Sequence, residues 1–192
     1  DCHQPYYVDG TKFTNYNPRF TEVSLSEALV KSVNICVIKA AQDVGVTGFR
    51  AKLSDFGFDV NSQWRTDKSD ALQLAQSTMG ETNLVTLPSL TKAYAILANK
   101  GQVFTSGEDD RVVSEKTAQS VTHLLVGAVE HGTGKLAQLP NIPVAGKTGT
   151  VVSHGDNESS YMKLFAGYVP ANAPRFVAVV VLEEEKNKYQ HC

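Results

Sequence analysis

The sequence predicts an α+β fold in which an antiparallel sheet is covered by helices on both faces. Helical patterns with caps and glycine stops fill residues 24–132, whereas strand patterns joined by short turns fill residues 141–185. Helices grouped first and strands grouped last are typical of this layout. The run from Phe176 to Leu182 is apolar at every position, which indicates a strand buried on both of its faces.

Residues 1–23 are a polar and aromatic lead-in in which proline, glycine and asparagine interrupt any period. We expect a loop there, with room for a short hairpin, and interpret the segment as a connection. The capping box Ser24-Leu25-Ser26-Glu27 then begins a short helix, predicted from Leu25 to Lys31. Ser32-Val33-Asn34 interrupts it, and a second helical pattern runs from Ile35 to Gly45. Ser32 and Asn34 are therefore predicted between two helices, where polar side chains can face a cleft.

Further helices are predicted where a cap or a proline precedes an apolar stripe that ends at glycine. They run from Thr47 to Gly57, from Thr86 to Gly101 and from Ser114 to Gly132. Residues 58–70 are expected to be a loop, and residues 71–84 carry short helical signals with a break at Gly80. A short strand is expected at Val103-Phe104.

The predicted strands cover residues 141–152, 163–169 and 175–184, and their short connections imply antiparallel neighbours. The first strand has apolar arms and a polar centre, Lys147-Thr148-Gly149-Thr150. This centre places an ammonium group, two hydroxyls and the bare backbone of Gly149 side by side. Because glycine in a strand often marks the close approach of a ligand or another backbone, the pattern suits a carboxylate and an extended peptide.

The composition excludes several classes of function. The formal net charge is −2 and no basic run occurs, which argues against a general nucleic-acid binder. No apolar stretch reaches the roughly 18 residues of a membrane helix. The five histidines are scattered without the spacing of a metal site, so neither a metal nor a cofactor is expected.

The three cysteines leave two arrangements open. Cys36 lies in an apolar helical pattern and is expected to be a small core residue. Cys2 and Cys192 lie at the two ends of the sequence, where they either pair in an oxidising compartment or remain free thiols.

Gly146-Lys147-Thr148 has the appearance of a phosphate-binding loop. That motif needs a glycine where Asn141 stands, and it needs a helix afterwards, whereas Thr150-Val151-Val152 continues a strand. Nucleotide binding is therefore not expected.

Two motifs together point to a family. Ser32-Val33-Asn34 and Lys147-Thr148-Gly149-Thr150, in this order and at this separation, resemble the second and third signature motifs of the penicillin-binding transpeptidases and serine β-lactamases. The resemblance runs from about Val23 to Leu182 and includes three further segments: Thr86-Leu87-Pro88, Gly132-Thr133-Gly134-Lys135 and Phe165-Ala166-Gly167-Tyr168. The chain is similar to the transpeptidase domain of a high-molecular-weight penicillin-binding protein rather than to a β-lactamase, because no β-lactamase-type deacylating glutamate motif is recognisable.

The first family motif, Ser-x-x-Lys, does not precede Ser32 in these residues. The one literal match, Ser89-Leu90-Thr91-Lys92, follows Ser32 and falls in the helix that begins at Thr86, so we expect an exposed helix face there rather than a nucleophile. Residues 1–192 are therefore interpreted as a partial transpeptidase domain. Its parts are a lead-in (1–23), a mainly helical part (24–132) and a sheet part (141–185), and its nucleophile segment and its last element are missing.

The resemblance implies a peptidoglycan D,D-transpeptidase that binds D-Ala-D-Ala stem peptides and β-lactams. Ser32 would lie between the missing catalytic lysine and Lys147, where it would relay protons or hold a hydrogen-bond network. Asn34 would hydrogen-bond the amide side of the substrate, and Lys147 would supply positive potential and orient Ser32. Thr148 and Thr150 would bind the terminal carboxylate, the Thr150 N–H would form half of the oxyanion hole, and Gly149 would keep the strand bare. The plainer alternatives are a helix cap for Ser32, a turn residue for Asn34 and a surface lysine for Lys147.

The resemblance also implies partners and a location. The partners are peptidoglycan stem peptides, β-lactam antibiotics, the missing N-terminal segment of the same domain and proteins of cell-wall synthesis or division. The expected location is extracytoplasmic, in the periplasm or on the outer face of the cytoplasmic membrane, in a parent protein anchored by an N-terminal membrane helix. Two alternatives stay open: a non-catalytic binding or regulatory module of the same fold, and a cytosolic protein that matches by chance.

Overall fold

The computed structural model describes residues 1–60, 64–65, 67–104, 110–154 and 159–185. Within these residues the chain forms five α-helices, a two-stranded hairpin and a three-stranded sheet, together with a 3-10 turn over Lys135–Ala137. In chain order the elements are β1 (Tyr6–Val8), β2 (Thr11–Phe13), α1 (Leu25–Lys31), α2 (Asn34–Asp55), α3 (Asp70–Thr78), α4 (Leu87–Ala98), α5 (Glu115–Glu130), β3 (Ala145–His154), β4 (Ser159–Val169) and β5 (Phe176–Glu185).

The lead-in contains the short hairpin for which the sequence left room. Asp9 and Gly10 form its turn with φ of 45° and 78°, since an Asp-Gly pair can adopt positive φ at both central positions. Val8 and Phe13 each retain 6% exposure and pack against Ile38 of α2 and a buried alanine of α3. The lead-in therefore contributes to the hydrophobic core, beyond the connecting role expected from its composition.

A disulfide joins the lead-in to α2 and corrects the prediction for the cysteines. Cys36 is not a free core thiol, because it is bonded to Cys2 with a Cα–Cα distance of 5.0 Å. The Cys2 side chain is fully buried against Val33 and Ile35. This pairing excludes a bond between Cys2 and Cys192, which lies outside the described residues. The two cysteines are 34 positions apart in the sequence, and nothing between them signals locally that the chain folds back to this point.

The first two helices meet at the predicted interruption. Ser24 caps α1 by accepting a hydrogen bond from the Glu27 N–H at 3.1 Å. Helix α2 begins at Asn34 and continues past the predicted stop, but Gly45 has φ of 79° and ψ of 160°, which kinks the helix there. The glycine signal therefore marked a real break, although both halves belong to one element.

Helices α4 and α5 begin where their caps predict. Thr86 and Ser89 form a reciprocal capping box at the start of α4, and Ser114 accepts from the Thr117 N–H at the start of α5. The Ser89 hydroxyl also donates to the Thr86 carbonyl at 2.9 Å, so it is engaged in the helix cap. Val103-Phe104 forms no strand in the described part of the chain, where a bridge between Gln102 and Arg111 stands instead.

The three strands pair in the order β3-β4-β5, and both pairs are antiparallel. The first strand begins at Ala145, later than predicted, because Asn141 takes a φ of 61° in a turn that precedes it. The second begins at Ser159, earlier than predicted. With its helices and antiparallel sheet, the structure confirms the α+β fold class.

The two faces of the sheet differ in cover. Helices α4 and α5 pack around Tyr168, which is 2% exposed and lies opposite Ala145 and Val177 in the strand register. On the other face Phe176 and Leu182 remain 67% and 63% exposed. The second helical layer expected from the apolar pattern of β5 is thus not supplied by the described residues.

Candidate active site

The serine turn between α1 and α2 forms one wall of the candidate site. Ser32 adopts the left-handed conformation with φ of 59° and ψ of 50°, which costs a non-glycine residue on the order of 1 kcal/mol. Its N–H bonds back to the Leu29 carbonyl, and the next N–H bonds to the Ala28 carbonyl. Val33 and Ile35 are 1% and 0% exposed, so burial of these neighbours holds the strained turn in place.

Lys147 on β3 faces this turn from the opposite wall. Its Nζ donates to Ser32 Oγ at 3.0 Å, to Thr133 Oγ1 at 3.3 Å and to the Thr148 carbonyl at 3.1 Å. The side chain is half-buried, and the loss of solvent lowers the pKa of the Lys147 ammonium below its usual value. Because these partners are neutral oxygens, the charge of Lys147 is solvated by hydroxyls and a carbonyl rather than by a carboxylate.

Thr133 completes the cluster and was not among the site residues that the sequence predicted. It follows α5 in the Gly132-Thr133-Gly134 segment, which the sequence identified only as a helix stop and as part of the family resemblance. Its Oγ1 accepts from Lys147 Nζ and, at 2.7 Å, from Thr148 Oγ1. A hydroxyl between two glycines directly after a helix was the available signal, but helix ends often have this composition.

Close packing fixes the position of the Thr133 segment. A Cβ at Gly132 would overlap the Val30 carbonyl of α1 and the backbone of Ala128 in α5. The Lys31 ammonium also donates to the His131 carbonyl at 2.6 Å. These contacts tie the end of α5 to the end of α1, so Thr133 stands beside the serine turn.

Asn34 occupies the first turn of α2 with its amide engaged by the lead-in. Its Nδ2 donates to the Thr14 carbonyl at 2.9 Å. The neighbouring Asn15 accepts from the Ile35 N–H at 3.0 Å and donates to the Cys2 carbonyl at 2.9 Å. The predicted contact of Asn34 with a substrate amide therefore competes with a contact inside the protein, at least for its NH₂ group.

Gly149 and Thr150 continue β3 along an edge of the sheet. Within the described residues β3 pairs with β4 alone, so its outer edge is not covered by another strand. A Cβ at Gly149 would meet Leu164 at ordinary contact distances of 3.6 and 3.7 Å, so packing alone does not require glycine there. An uncovered strand edge is where an extended peptide can add its own hydrogen bonds.

The arrangement offers groups that can bind an anion and an extended peptide side by side. A half-buried cation, three hydroxyls from Ser32, Thr133 and Thr148, and an open strand edge lie together. In the part of the chain that the structure describes, no group of three or more histidine, cysteine, aspartate or glutamate side chains could hold a metal ion. No helix within those residues is both long and apolar enough to cross a bilayer.

The fold is an α+β domain in which Ser32, at a turn between two helices, contacts Lys147 on an edge strand. These features are typical of the class of acyl-transfer domains that the two motifs resemble. The family model described as "Penicillin binding protein transpeptidase domain" matches residues 1–191. The chain belongs to this family, as the motifs predicted.

Relatives and solved structures agree with this assignment. Penicillin-binding protein 1A of Streptococcus oralis is 28% identical over 185 residues, which cover 86% of this chain and 28% of the relative. Peptidoglycan D,D-transpeptidase FtsI of Escherichia coli K12 is 25% identical over 96% of this chain and 35% of the relative. The solved transpeptidase domain of FtsI4 D,D-transpeptidase from Legionella pneumophila is 51% identical, with a TM-score of 0.78 over 86% of this chain and 61% of that one. The chain thus spans about a third or less of the length of these two curated relatives.

Proposed function

We propose that this chain forms the substrate-binding wall of a peptidoglycan D,D-transpeptidase, which moves the acyl group of a D-Ala-D-Ala stem peptide to an amine of a second stem peptide. The observation that carries the proposal is the 3.0 Å hydrogen bond from Lys147 Nζ to Ser32 Oγ, which joins two motifs 115 residues apart. Neither motif alone points to acyl transfer, but a cation that orients a hydroxyl beside an open strand edge does.

The proposed reaction has two acyl transfers. A nucleophilic serine, supplied by a Ser-x-x-Lys segment outside these residues, attacks the carbonyl of the penultimate D-Ala. The ester C–O bond forms, the amide C–N bond breaks, and the terminal D-Ala leaves with a proton on its nitrogen. The amine of the second peptide then attacks the ester, and the serine regains its proton.

Ser32 and Lys147 supply a proton to the leaving nitrogen in this reaction. Because Lys147 donates to Ser32 Oγ, the hydroxyl proton of Ser32 is directed elsewhere and can pass to the departing amine. Lys147 can then restore that proton, and a pKa lowered by burial makes the ammonium a better acid than an exposed lysine.

The other residues bind the substrate. The peptide lies along the outer edge of β3, with its terminal carboxylate at the hydroxyls of Thr148 and Thr150 and its scissile carbonyl at the Thr150 N–H. Asn34 contacts an amide of the substrate, and Gly149 keeps the backbone accessible. β-Lactams occupy the same site because they present a carboxylate next to a reactive amide.

The test measures both the reversible binding of benzylpenicillin to the chain and the covalent acylation of the chain by benzylpenicillin. The 192-residue chain is expected to give saturation-transfer NMR signals from benzylpenicillin and no gain in intact mass, since the Ser-x-x-Lys motif does not precede Ser32. Lys147→Met and Ser32→Ala should weaken the signals, whereas Thr91→Val on α4 should not. A mass gain that maps to any serine of this chain, Ser89 included, would contradict the assignment of the nucleophile.

The alternative is a non-catalytic binding module of the same fold. The sequence of the gene that encodes the chain distinguishes the two functions. If that gene encodes a Ser-x-x-Lys segment upstream, its full product should be acylated by benzylpenicillin. A full product that binds without acylation supports the binding module.

The proposed location is extracytoplasmic, in a parent protein held at the membrane, where stem peptides and cell-wall synthesis or division proteins would be its partners. The Cys2–Cys36 disulfide supports it, because disulfides persist in oxidising compartments. Protein isolated from the native host with free thiols blocked should carry a mass label on neither Cys2 nor Cys36.

A further inference from the structure

The serine turn leads into helix α2, which starts at Asn34 and lacks a cap of its own. The residue in the cap position is Val33, whose side chain makes no capping hydrogen bond. Val33 is 1% exposed and packs in the core, so burial rather than capping explains the valine. Because the first N–H groups of a helix have no partner within the helix, α2 needs an acceptor from elsewhere in the chain.

Asn15 of the lead-in supplies that acceptor. Its Oδ1 accepts from the Ile35 N–H at 3.0 Å, which is the bond that the side chain of a cap residue ordinarily makes. Its Nδ2 donates to the carbonyls of Cys2 and Phe20 at 2.9 and 3.3 Å, and its backbone N–H donates to Gln4 Oε1 at 2.8 Å. Asn15 is 6% exposed and both ends of its amide are paired, so its orientation is fixed.

The residue before Asn15 orients the side chain of Asn34. The Thr14 carbonyl accepts from Asn34 Nδ2 at 2.9 Å. A carbonyl only accepts, so this bond turns the Nδ2 end of the amide toward the lead-in and directs Oδ1 away from it. The amide keeps a second N–H and its Oδ1 for other partners. Two adjacent residues of the lead-in therefore hold two adjacent residues of α2.

We propose that Asn15 is a positioning residue for the transpeptidase site, which caps α2 from outside the helix and so sets the place of Asn34 relative to Ser32 and Lys147. This inference rests on the proposed function, because Asn34 is the residue through which Asn15 acts on the substrate. A group that is already held in its binding orientation loses less freedom when the substrate arrives. Loss of the cap should therefore weaken binding through Asn34 in particular, beyond any general loss of stability.

A double-mutant cycle tests whether Asn15 acts through Asn34. Diacetyl-L-Lys-D-Ala-D-Ala is titrated into the 192-residue chain, and NMR shift changes give the dissociation constants of the wild type, Asn15→Ala, Asn34→Ala and the double variant. Asn15→Ala should raise the dissociation constant about fivefold or more when Asn34 is present. When Asn34 is already alanine, it should raise the constant by less than about twofold, because the contact that it positions is gone.

The side-chain amide of Asn34 gives a second readout, which a purely structural role of Asn15 would not change. One of its two N–H signals should be shifted downfield by the bond to the Thr14 carbonyl in the wild type, and both should move to the positions of a free asparagine in Asn15→Ala. Asn83→Ala is the matched control, since Asn83 also ties a loop to a helix through both ends of its amide, at Ser77. It should change neither the Asn34 signals nor the affinity.

Two provisions keep the test decisive. If Asn15→Ala does not fold, as judged by its amide spectrum, Gln4→Ala takes its place under the same criteria, because it removes the acceptor of the Asn15 backbone N–H. If Asn34→Ala binds too weakly to titrate, the Asn34 signals decide the outcome.

The outcomes separate this inference from the function beneath it. A wild-type chain that does not bind the D,D peptide, or that binds diacetyl-L-Lys-L-Ala-L-Ala equally well, contradicts the proposed function and the inference together. If the wild type prefers the D,D peptide, the inference alone is overturned by an Asn15→Ala variant that binds as the wild type does, loses affinity equally in both backgrounds, or keeps the Asn34 signals in place.

Discussion

Burial governs the chemistry of Lys147 at the scale of a single residue. Its ammonium contacts Ser32, Thr133 and a carbonyl, and the loss of solvent lowers its pKa. Because the folded-state pKa lies below the unfolded one, burial of the charged form costs stability at neutral pH. That cost is relieved as the pH rises from the lowered pKa toward the ordinary value of 10.5.

The same shift predicts a pH dependence of ligand binding. A carboxylate binds the ammonium form of Lys147, so the affinity for diacetyl-L-Lys-D-Ala-D-Ala should fall as the pH rises through the lowered pKa of the free chain. NMR of ¹³C-labelled lysine measures this pKa directly, and Lys147→Met identifies the resonance. The explanation is wrong if the Lys147 resonance titrates at or above 10.5 in the free chain.

Two glycines of β3 are predicted to respond differently to alanine. A Cβ at Gly146 would overlap the Phe165 ring and approach the Ala166 carbonyl to 3.1 Å, whereas a Cβ at Gly149 meets only ordinary contacts with Leu164. Gly146→Ala should therefore lower the free energy of unfolding by about 1–3 kcal/mol through overpacking. Gly149→Ala should change it by less than about 1 kcal/mol. Urea unfolding of the two variants measures both, and equal losses would contradict the packing argument.

Sequence reasoning reached some site residues and not others for physical reasons. Ser32 and Lys147 were predicted because their motifs have a recognisable composition and spacing, and the structure places the two side chains in contact. The contact of Asn34 with the Thr14 carbonyl had no such signal, since every residue carries a carbonyl. The contacts of Thr133 with Lys147 and Thr148 had no such signal, because they follow only from the geometry of the fold.

At the scale of elements, the lead-in holds the serine turn. The β1–β2 hairpin packs on α2 and α3, the disulfide joins Cys2 to Cys36, and Asn15 bonds to the backbone of Ile35. The contacts on α2, at Ile35, Cys36 and Ile38, fall within a few residues of Ser32 and Asn34. The lead-in therefore acts on the candidate site by fixing the start of α2.

Loss of the disulfide should destabilise the chain and make the serine turn at the start of α2 less rigid. Cys2→Ser is expected to lower the free energy of unfolding by about 2–4 kcal/mol, mainly by freeing the unfolded chain. Hydrogen exchange should quicken at residues 33–36 more than in α5. Cys192→Ser is the matched control and should change neither quantity. Exchange at residues 33–36 that stays as slow as in the wild-type chain would show that the lead-in does not position the turn.

Helix and strand bounds were predictable to the extent that they depend on local signals. The caps at Ser24, Thr86 and Ser114 and the break at Gly45 all appear where the sequence placed them. The disulfide was not predictable, because it joins segments far apart in the chain. The hairpin has a local signal, the Asp9-Gly10 pair, which the sequence prediction did not use. The start of β3 was misplaced because Asn141 takes a positive φ in a turn closed by the bridge between Leu139 and Ile142.

At the scale of the whole molecule, helices cover one face of the sheet and leave an apolar row exposed on the other. Phe176, Val180 and Leu182 of β5 are each at least half exposed. The apolar pattern of β5 correctly indicated a strand. It also predicted burial on both faces, whereas the described residues leave the second face exposed. The antiparallel order and the α+β class followed from short connections and from the grouping of elements, so they were predictable from the sequence.

The measurement that tests the central claim most directly is a comparison of two stereoisomers on the 192-residue chain. Diacetyl-L-Lys-D-Ala-D-Ala and diacetyl-L-Lys-L-Ala-L-Ala have the same charge and composition, so only a site built for D-residues distinguishes them. Heteronuclear NMR should show shift changes at Ser32, Thr133 and residues 147–150 with the D,D peptide and much weaker ones with the L,L peptide. Equal responses to the two peptides, or changes confined to other parts of the chain, would contradict the assignment of this cluster as the wall of a D,D-transpeptidase site.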